Sequence, residues 1–438
     1  MKRNTRQRAL CLLLACGLLL AMTACAGQSE PGVAVNPDPG PKPVDDPAPK
    51  LGAEDLMAAI VPNPPAPAPI APESAAAAAD FALRLFRAGS EAGKNSLLSP
   101  LSVLCALAMT ANGAEGETLA QMEQTLGMKR EALNAYARAY LDSLSGDDTL
   151  RLANSVWFNA DPRFTVEPAF LQTNADCFGA ELYKAPFDDG TLADINAWVK
   201  AKTQGMIPEI LDQIPEAAVM YLVNALAFAG KWETPYEAWS ITNGSFHPAQ
   251  GEDCPVEYMN GEENFYLEDE NAVGFLKPYA GGRYAFAALL PREGLSPEDY
   301  LAGLDGTALR ELLAGAQELT VYTSLPKFET AYDVELSAAL KTMGMELPFD
   351  GFKADFSGLG QSAAGNIFIS RVLHKTFMAV DETGTRAGAA TVVEMVDMAA
   401  EPGDYREVCL DRPFVYLLID RESLLPFFIG VMQNPAQE

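Results

Sequence analysis

Proline placement divides this chain before any other feature does. Thirteen of its thirty-one prolines lie between Pro31 and Pro72, in runs such as Pro37-Asp38-Pro39-Gly40-Pro41-Lys42-Pro43 and Pro64-Pro65-Ala66-Pro67-Ala68-Pro69. Each proline fixes φ and removes a backbone donor, so this stretch cannot sustain a helix or sheet interior. It reads as an extended spacer without a core, with a short helix expected around Glu54 to Ile60. Folding is therefore confined to a body running from about Ser74 to Pro435. The chain has 438 residues and is 49% hydrophobic, so that body can bury a large core.

Upstream of the prolines lies an address. Lys2, Arg3, Arg6 and Arg8 precede an apolar run from Ala9 to about Met22, too short to span a bilayer and suited to a signal-peptide core. The run closes in Met22-Thr23-Ala24-Cys25, which resembles a bacterial lipoprotein lipobox with Met22 where Leu is usual. The resemblance implies a leader over 1–24, a lipid on the sulfur of Cys25, and a tether over 25–73 that holds the body off the membrane. An ordinary secretory signal cut nearby would export the chain without the anchor. Both readings place the protein outside the cell, as a surface lipoprotein or secreted. No internal stretch of eighteen apolar residues occurs, so membrane contact is expected through the lipid alone.

Composition closes several functional classes. Lys+Arg number 31 against 59 Asp+Glu, a net charge of −28. Loss of the leader removes four positive charges and no negative ones, which takes the charge to −32. Such a surface repels phosphate backbones, so no nucleic-acid partner is expected. His247 and His374 are the only histidines, too few for a multi-histidine metal site, and neither metal nor cofactor is expected. Of seven cysteines, Cys11 and Cys16 leave with the leader. Cys105, Cys177, Cys254 and Cys409 remain far apart without a C-x-x-C pair and read as buried free thiols, although export permits disulfides. Gly93-Lys94 and Gly230-Lys231 look like P-loop tails but lack the glycine five residues earlier. No G-x-S-x-G or H-E-x-x-H motif occurs. His374, within Arg371-Val-Leu-His-Lys-Thr-Phe-Met378, reads as a hydrogen-bonded residue of a buried strand. No constellation supports an enzyme.

Helical signals fill the first third of the body. Ser74 is placed to cap Ala75 to Ala88, and Ser99-Pro100 to open Leu101 to Ala111. Gly116 to Leu126 and Arg130 to Leu144 read as two further helices. Strands are expected at Leu150 to Phe158, Val219 to Phe228, Leu319 to Tyr322, Ile367 to Val380, Phe414 to Ile419 and Pro426 to Met432. Helices first and mostly strands later predict an α+β domain without internal repeats.

Residues 383 to 391 read Thr-Gly-Thr-Arg-Ala-Gly-Ala-Ala-Thr and lead into a β-branched stretch that ends at Pro402-Gly403. In an extended chain Thr385, Ala387, Ala389, Thr391, Val393 and Met395 share one face, all small or apolar. Arg386 and Glu394 fall on the other. That is the pattern of a strand buried on one side, and equally of a flexible Ala/Gly loop.

Six motifs resemble those of the serpin family, in order and at matching separations, from about residue 80 to 435. Asn95-Ser-Leu-Leu-Ser99-Pro-Leu-Ser102 with Ala106-Leu-Ala-Met109 is similar to the family's second-helix motif, and Gly113-Ala-Glu-Gly116 through Gln121-Met122 continues it. Leu222-Val-Asn224-Ala-Leu-Ala-Phe-Ala-Gly-Lys231-Trp232, Leu325-Pro-Lys327-Phe328, Asp381-Glu-Thr-Gly-Thr385, Asp411-Arg-Pro413-Phe414 and Gly430-Val-Met-Gln-Asn-Pro435 follow.

The resemblance implies an α+β serpin fold over 74–438, with three β-sheets, eight or nine helices and an exposed reactive loop at about 385–404. It implies a monomeric suicide inhibitor whose partner is a serine protease, caught as a covalent acyl complex when the cut loop inserts into the central sheet. Glu382, Gly384 and Thr385 match the hinge, and Ala387, Gly388, Ala389, Ala390 and Thr391 the small stretch of inhibitory members. Arg386 stands where Glu is usual, on the outward face, so insertion is expected to survive with an altered rate. Family spacing sets the reactive bond between Met398 and Ala399, with Asp397, Met395 or Ala399 as other cleavage residues. Met398 suits an apolar pocket of elastase, chymotrypsin or subtilisin type; Asp397 would suit an Asp-specific protease. Ser99, Ser102, Asn224 and His374 match a buried polar cluster beneath the sheet, a conformational switch and not a catalytic triad. Trp232 and Glu382 match positions near the top of the opening. A serpin-fold surface binder that does not inhibit, and a lipoprotein of unrelated fold such as a solute binder, are the competing readings. Hinge composition argues against the first and motif order against the second.

Overall fold

The computed structural model describes residues 49–215, 218–363, 365–386 and 404–437, without the side chains of 224, 225 and 386. A two-residue strand β1 (Glu54–Asp55) comes first. Helices α1 (Pro72–Gly89), α2 (Pro100–Ala111), α3 (Gly116–Leu126) and α4 (Arg130–Ser143) follow, with β2 (Ser96–Leu98) between the first two. Next come β3 (Leu150–Asn159), β4 (Phe164–Val166), α5 (Pro168–Phe178), β5 (Glu181–Ala185), α6 (Asp189–Lys202), β6 (Met220–Phe228) and β7 (Gly230–Lys231). A strand-rich region holds β8 (Ile241–Phe246), β9 (Cys254–Glu268), β10 (Ala272–Pro278) and β11 (Tyr284–Pro291). After α7 (Pro297–Ala302) and α8 (Gly306–Ala314) come β12 (Gln317–Pro326), β13 (Phe328–Glu335), α9 (Ser337–Thr342), β14 (Gly360–Ser362), β15 (Leu373–Val380) and β16 (Gly384–Arg386). The chain ends in β17 (Tyr405–Cys409), β18 (Phe414–Asp420) and β19 (Leu425–Met432). The architecture is α+β, as expected from the sequence, with nine α-helices among the described residues.

Burial explains the order of the helices. Every residue of α2 is buried, so a helix apolar on all sides sits at the centre of the body. Phe81, Leu85 and Phe86 of α1 pack into the same core. The expected cap at Ser74 is corrected. The helix opens at Pro72 with Ala71 as its N-cap, and Ser74 is buried in the first turn. Proline is pre-organised for that first position and lacks the donor a helix leaves unsatisfied there. Gly127, at φ +74°, closes α3 in the left-handed conformation.

Four ladders form. One has the order β17-β12-β9-β10-β11-β18-β19-β2, with β8 added to β9. Two four-stranded ladders, β1-β5-β3-β6 and β13-β15-β16-β7, are halves of one sheet, because β7 follows β6 after a single residue. The parallel bridge Leu222–Val372 joins β6 to the start of β15. At the other end of β15 the short β16 fills the space, pairing Arg386 with Ala379 and Thr385 with Gly230. Between these ends Leu226, Ala227 and Phe228 face Phe377 and Met378 across a narrow cavity floored by Leu418 and Phe428.

The described part of the Pro-rich stretch is docked, which corrects the expected spacer over 49–73 and the expected helix at 54–60. Residues Glu54 and Asp55 pair with Lys184 and Tyr183 of β5, and a turn follows. The Leu56 N–H donates to the Leu182 carbonyl at 2.9 Å, and the N–H groups of Gly52 and Ala53 donate to Asp194 at 2.8 and 3.0 Å. Farther on, the Asn63 N–H donates to Asp176 at 2.6 Å. The reason is the open edge of β5, whose unpaired donors and acceptors accept a partner strand. Leu56, Met57 and Ile70 rest on the main core.

Candidate functional site

The site begins with a reversal of four residues. The Asp381 carboxylate accepts from the Thr383 N–H at 2.8 Å, the Thr383 hydroxyl at 2.6 Å and the Gly384 N–H at 3.2 Å. The Asp381 N–H donates to the Gly384 carbonyl at 3.0 Å. An Asp side chain that caps its own turn is the usual means of such a reversal. It brings the chain back antiparallel to β15 and slots β16 against β7. Only glycine fits at 384, because a Cβ there would lie 2.1 Å from the Gly230 carbonyl oxygen. Thr385 is buried, and its hydroxyl accepts from the phenol of Tyr279.

Trp232 clamps this turn. Its backbone N–H donates to the Thr383 carbonyl at 3.0 Å and its indole N–H to the Asp381 carbonyl at 2.8 Å. The ring stacks on Tyr279 at 4.6 Å. The Tyr236 N–H donates to the Glu382 carbonyl at 2.9 Å. Outside the clamp, the Glu382 carboxylate meets Lys327 at 2.9 Å, and Glu257 meets the same ammonium at 3.5 Å. Burial works against the Lys327 ammonium, but the two carboxylates prevail and hold its pKa above the ordinary lysine value.

Beneath the clamp lies a buried ion pair. Lys277 Nζ is 2.6 Å from Glu263 and donates to the Thr234 carbonyl at 2.9 Å, with the two side chains 3% and 5% exposed. The same ammonium sits 4.1 Å from the Tyr236 ring and 5.3 Å from the Trp232 ring. Burial pulls the lysine pKa down and pushes the glutamate pKa up, while each partner opposes that pull on the other.

A second polar cluster lies at the opposite end of β15, about 20 Å away along the strand. His374 is buried, and its Nε2 accepts from the Ser99 N–H at 2.9 Å. Burial alone lowers its pKa to about 4, so the ring is neutral. Ser99 is the N-cap of α2 with Pro100 at its first position, as expected, but its hydroxyl makes no capping hydrogen bond and finds no partner among the described residues. The imidazole binds the N-cap residue's own N–H. Ser102 is buried one turn farther on. Asn154 of β3 is buried too, and its backbone pairs with Asn224 of β6. The Thr376 hydroxyl donates to the Leu97 carbonyl at 2.7 Å.

The expected residues thus fall into two groups. Trp232, Glu382, Gly384 and Thr385 meet at one end of β15, and Ser99, Ser102 and His374 at the other. The backbone of Arg386 pairs in β16, and that of Asn224 in β6. Cys25, Ala387, Gly388, Ala389, Ala390, Thr391, Met398 and Ala399 lie outside the described residues. The sequence reading missed Tyr279, Lys277, Glu263, Asn154 and Thr376. Lys277 left a legible signal, a single charge in the apolar run from Ala272 to Tyr279. Glu263 left none, because it stands among other acids. The four described cysteines are unpaired, but Cys409 is exposed and Cys177 half-buried, which corrects the expectation of four buried thiols. Burial pushes the Cys105 thiol up to about 12. No group of His, Cys, Asp and Glu among the described residues could hold a metal ion.

Two outcomes follow from this geometry. Replacing Glu263 by Gln leaves a buried ammonium uncompensated and should lower stability by about 3–5 kcal/mol in denaturant titrations, whereas the double change Glu263→Leu with Lys277→Met should recover most of it. Equal stability of wild type and Glu263→Gln would remove the pair from the clamp. For His374 the folded pKa is depressed by burial from the ordinary histidine value of about 6.5 to about 4. Its contribution is therefore whole above about pH 6.5 and is lost as pH falls toward 4, a drop of roughly 3 kcal/mol. A pH series of unfolding midpoints should show this acid limb in wild type and a flatter one in His374→Gln.

Comparison with known proteins agrees with this geometry. The family model described as serpin (serine protease inhibitor) matches residues 76–435. Leukocyte elastase inhibitor A of Mus musculus is 29% identical over 382 residues, covering 81% of this chain and 97% of the relative. Serpin-Z1A of Triticum aestivum is 30% identical, covering 81% and 94%. Among solved structures, the thermophilic serpin tengpin in its native state is 45% identical with a TM-score of 0.83, covering 87% of this chain and 99% of that one. Tengpin in its latent state is 43% identical with a TM-score of 0.75, covering 84% and 99%. The polar cluster, the clamped turn and these likenesses over most of the chain establish one conclusion: the chain belongs to the serpin family of serine protease inhibitors.

Proposed function

We propose that this serpin is a suicide inhibitor of serine proteases with an apolar primary pocket. One observation carries the reading. Gly384–Arg386 is already hydrogen-bonded as the first rungs of a strand between β7 and β15, while β6 and β15 farther along share the single bridge Leu222–Val372. The residues that continue from Arg386 are small, as a strand entering a packed sheet must be.

The target's serine oxygen attacks the Met398 carbonyl carbon. An ester forms there, the bond to the Ala399 nitrogen breaks, and that nitrogen leaves with a proton. Residues from Ala387 onward then extend β16 between β6 and β15, with alternate small side chains inward. The acylated protease is carried along before water can cleave the ester. The driving force is a sheet completed only after cleavage. Opening requires β15 to part from β6, so the His374–Ser99 contact at the start of β15 is placed to set how readily it does. The same reading retains the leader over 1–24 and the lipid on Cys25. The inhibitor is then held at the cell surface by its lipid, or secreted if that cysteine is not modified.

Incubation of the body with pancreatic elastase, chymotrypsin, subtilisin and trypsin tests the mechanism on denaturing gels with intact mass measurement. The first three should give a complex that survives denaturation, with a released fragment beginning at Ala399, and trypsin should not. Cleavage within 385–404 without a complex, and without a gain in thermal stability, would sink the inhibitory reading. Mild oxidation should abolish the complex by making Met398 polar, and Met398→Leu should resist that treatment. Labelling with a fatty-acid analogue should mark the full chain and not Cys25→Ala.

A further inference from the structure

The exposed proline ribbon before α1 takes no part in the inhibitory mechanism. Residues 61–69 are all exposed and form neither helix, strand nor turn. Val61 is one of five large hydrophobic side chains exposed among the described residues, at 79%. Five prolines follow it in eight positions: Pro62, Pro64, Pro65, Pro67 and Pro69. No charged residue stands between Asp55 and Glu73, in a chain that is 21% charged. A stretch whose only task is to stay solvated draws on charged and polar side chains. This one shows apolar surface instead, which is the mark of a contact.

Local chemistry fixes the ribbon's shape. Every residue from Val61 to Pro69 is a proline or precedes one. Proline sets φ at about −65°, and the residue before it is pushed to extended ψ, so both constraints select the left-handed polyproline II helix along the whole run. Ala71, which precedes Pro72, has φ −67° and ψ 133°, the values of that helix. Nine residues then extend about 28 Å at three per turn. Val61, Pro64 and Pro67 share one edge and Pro62, Pro65 and Ala68 the next, and both edges are wholly apolar. The body holds the ribbon at both ends. Gln172 Nε2 of α5 donates to the Val61 carbonyl at 3.0 Å and to Asp176 at 2.8 Å, and Asp176 accepts the Asn63 N–H at 2.6 Å. At the other end Ile70 rests on the core, and the Ala75 N–H donates to the Ala71 carbonyl at 3.0 Å.

Backbone chemistry decides the occupant. Only four of the nine residues keep an N–H, and that of Asn63 is already taken, so no strand can pair along the ribbon. The run carries no charge for a charged surface to meet. What remains is pyrrolidine rings on two adjacent edges, with Pro64 and Pro67 three apart on one and Pro62 and Pro65 three apart on the other. Rings in that pattern pack into grooves lined by aromatic side chains. A ribbon tied at both ends enters such a groove without the ordering cost that a free chain meets. We infer that residues 61–69 are a displayed ligand for a partner protein whose groove is lined by Tyr and Trp rings and reads the P-x-x-P spacing. Protease inhibition is not required for it.

The test titrates the full chain into an isotopically labelled SH3 domain and an isotopically labelled WW domain, two folds that read this helix through aromatic grooves. Chemical shifts of the groove residues report binding, and a synthetic peptide of residues 60–71 is titrated in parallel. At least one domain should bind the full chain about fivefold or more tightly than it binds the peptide. The double variant Pro64→Ala with Pro67→Ala should weaken that binding about tenfold. Both positions are exposed, and an unchanged melting temperature confirms that the body is intact. Asp176→Ala, which frees Asn63 and leaves every proline in place, should bring the affinity back toward that of the peptide. Binding by neither domain, binding no tighter than the peptide's, or equal binding by the double variant would overturn the inference. A concentration-dependent dimer lost in the double variant would assign the ribbon to a second copy of the chain, and sedimentation with phosphatidylcholine vesicles lost in it would assign the ribbon to a lipid surface. Either would overturn the inference as well.

Discussion

Backbone donors and acceptors along β6 and β15 run side by side with one bridge between them, Leu222 to Val372. On the proposed mechanism, a sheet left unzipped in this way is what a further strand would complete. Three residues of such a strand are present already as β16, seated between β15 and β7. Everything around them limits how far the seating goes. Asp381 folds the chain back, Gly384 permits the approach to Gly230, and Thr385 is held by Tyr279.

The two ends of this gap are held by different physics. At the hinge, buried charge sets the geometry. Lys277 and Glu263 are almost fully desolvated, and the ammonium lies against the rings of Tyr236 and Trp232, residues that grip the backbone of 381–383 through their N–H groups and the Trp232 indole. Buried ion pairs are weak sources of net stability, but they penalise any rearrangement that separates them. At the far end neutrality is the condition. His374 accepts one hydrogen bond in a pocket that excludes its charged form, so the start of β15 is tied to the start of α2 by an uncharged contact. That contact can break without stranding a charge.

Much of this was legible before any coordinates. Helices α3 and α4 and strands β3, β6, β18 and β19 fall within a residue or two of their expected limits: the helices keep an apolar face, and β18 and β19 are short apolar runs bounded by Pro413, Asp420 and Gln433. The strands from Cys254 to Pro291 gave no such signal. Glu257, Glu262 and Glu263 interrupt the alternation of β9. At the other extreme, β1 was misread as helix. A two-residue strand has no periodicity and exists only because β5 offers it an edge.

Composition and local pattern determined the properties that depend on single residues or near neighbours: a basic and then apolar N-terminal stretch followed by prolines, an acidic body with two histidines, helices set before strands, and a segment whose small side chains alternate with charges. Those follow from φ restriction, charge and period, which need no partner. Tertiary structure alone decided which residues meet. Lys277 finds Glu263 fourteen positions away, Trp232 finds Asp381 across 149, and Tyr322 stands between Glu262 and Glu407 from two different strands. Each contact depends on strand register, and register is set by the burial of whole sheet faces, which no local stretch of sequence contains.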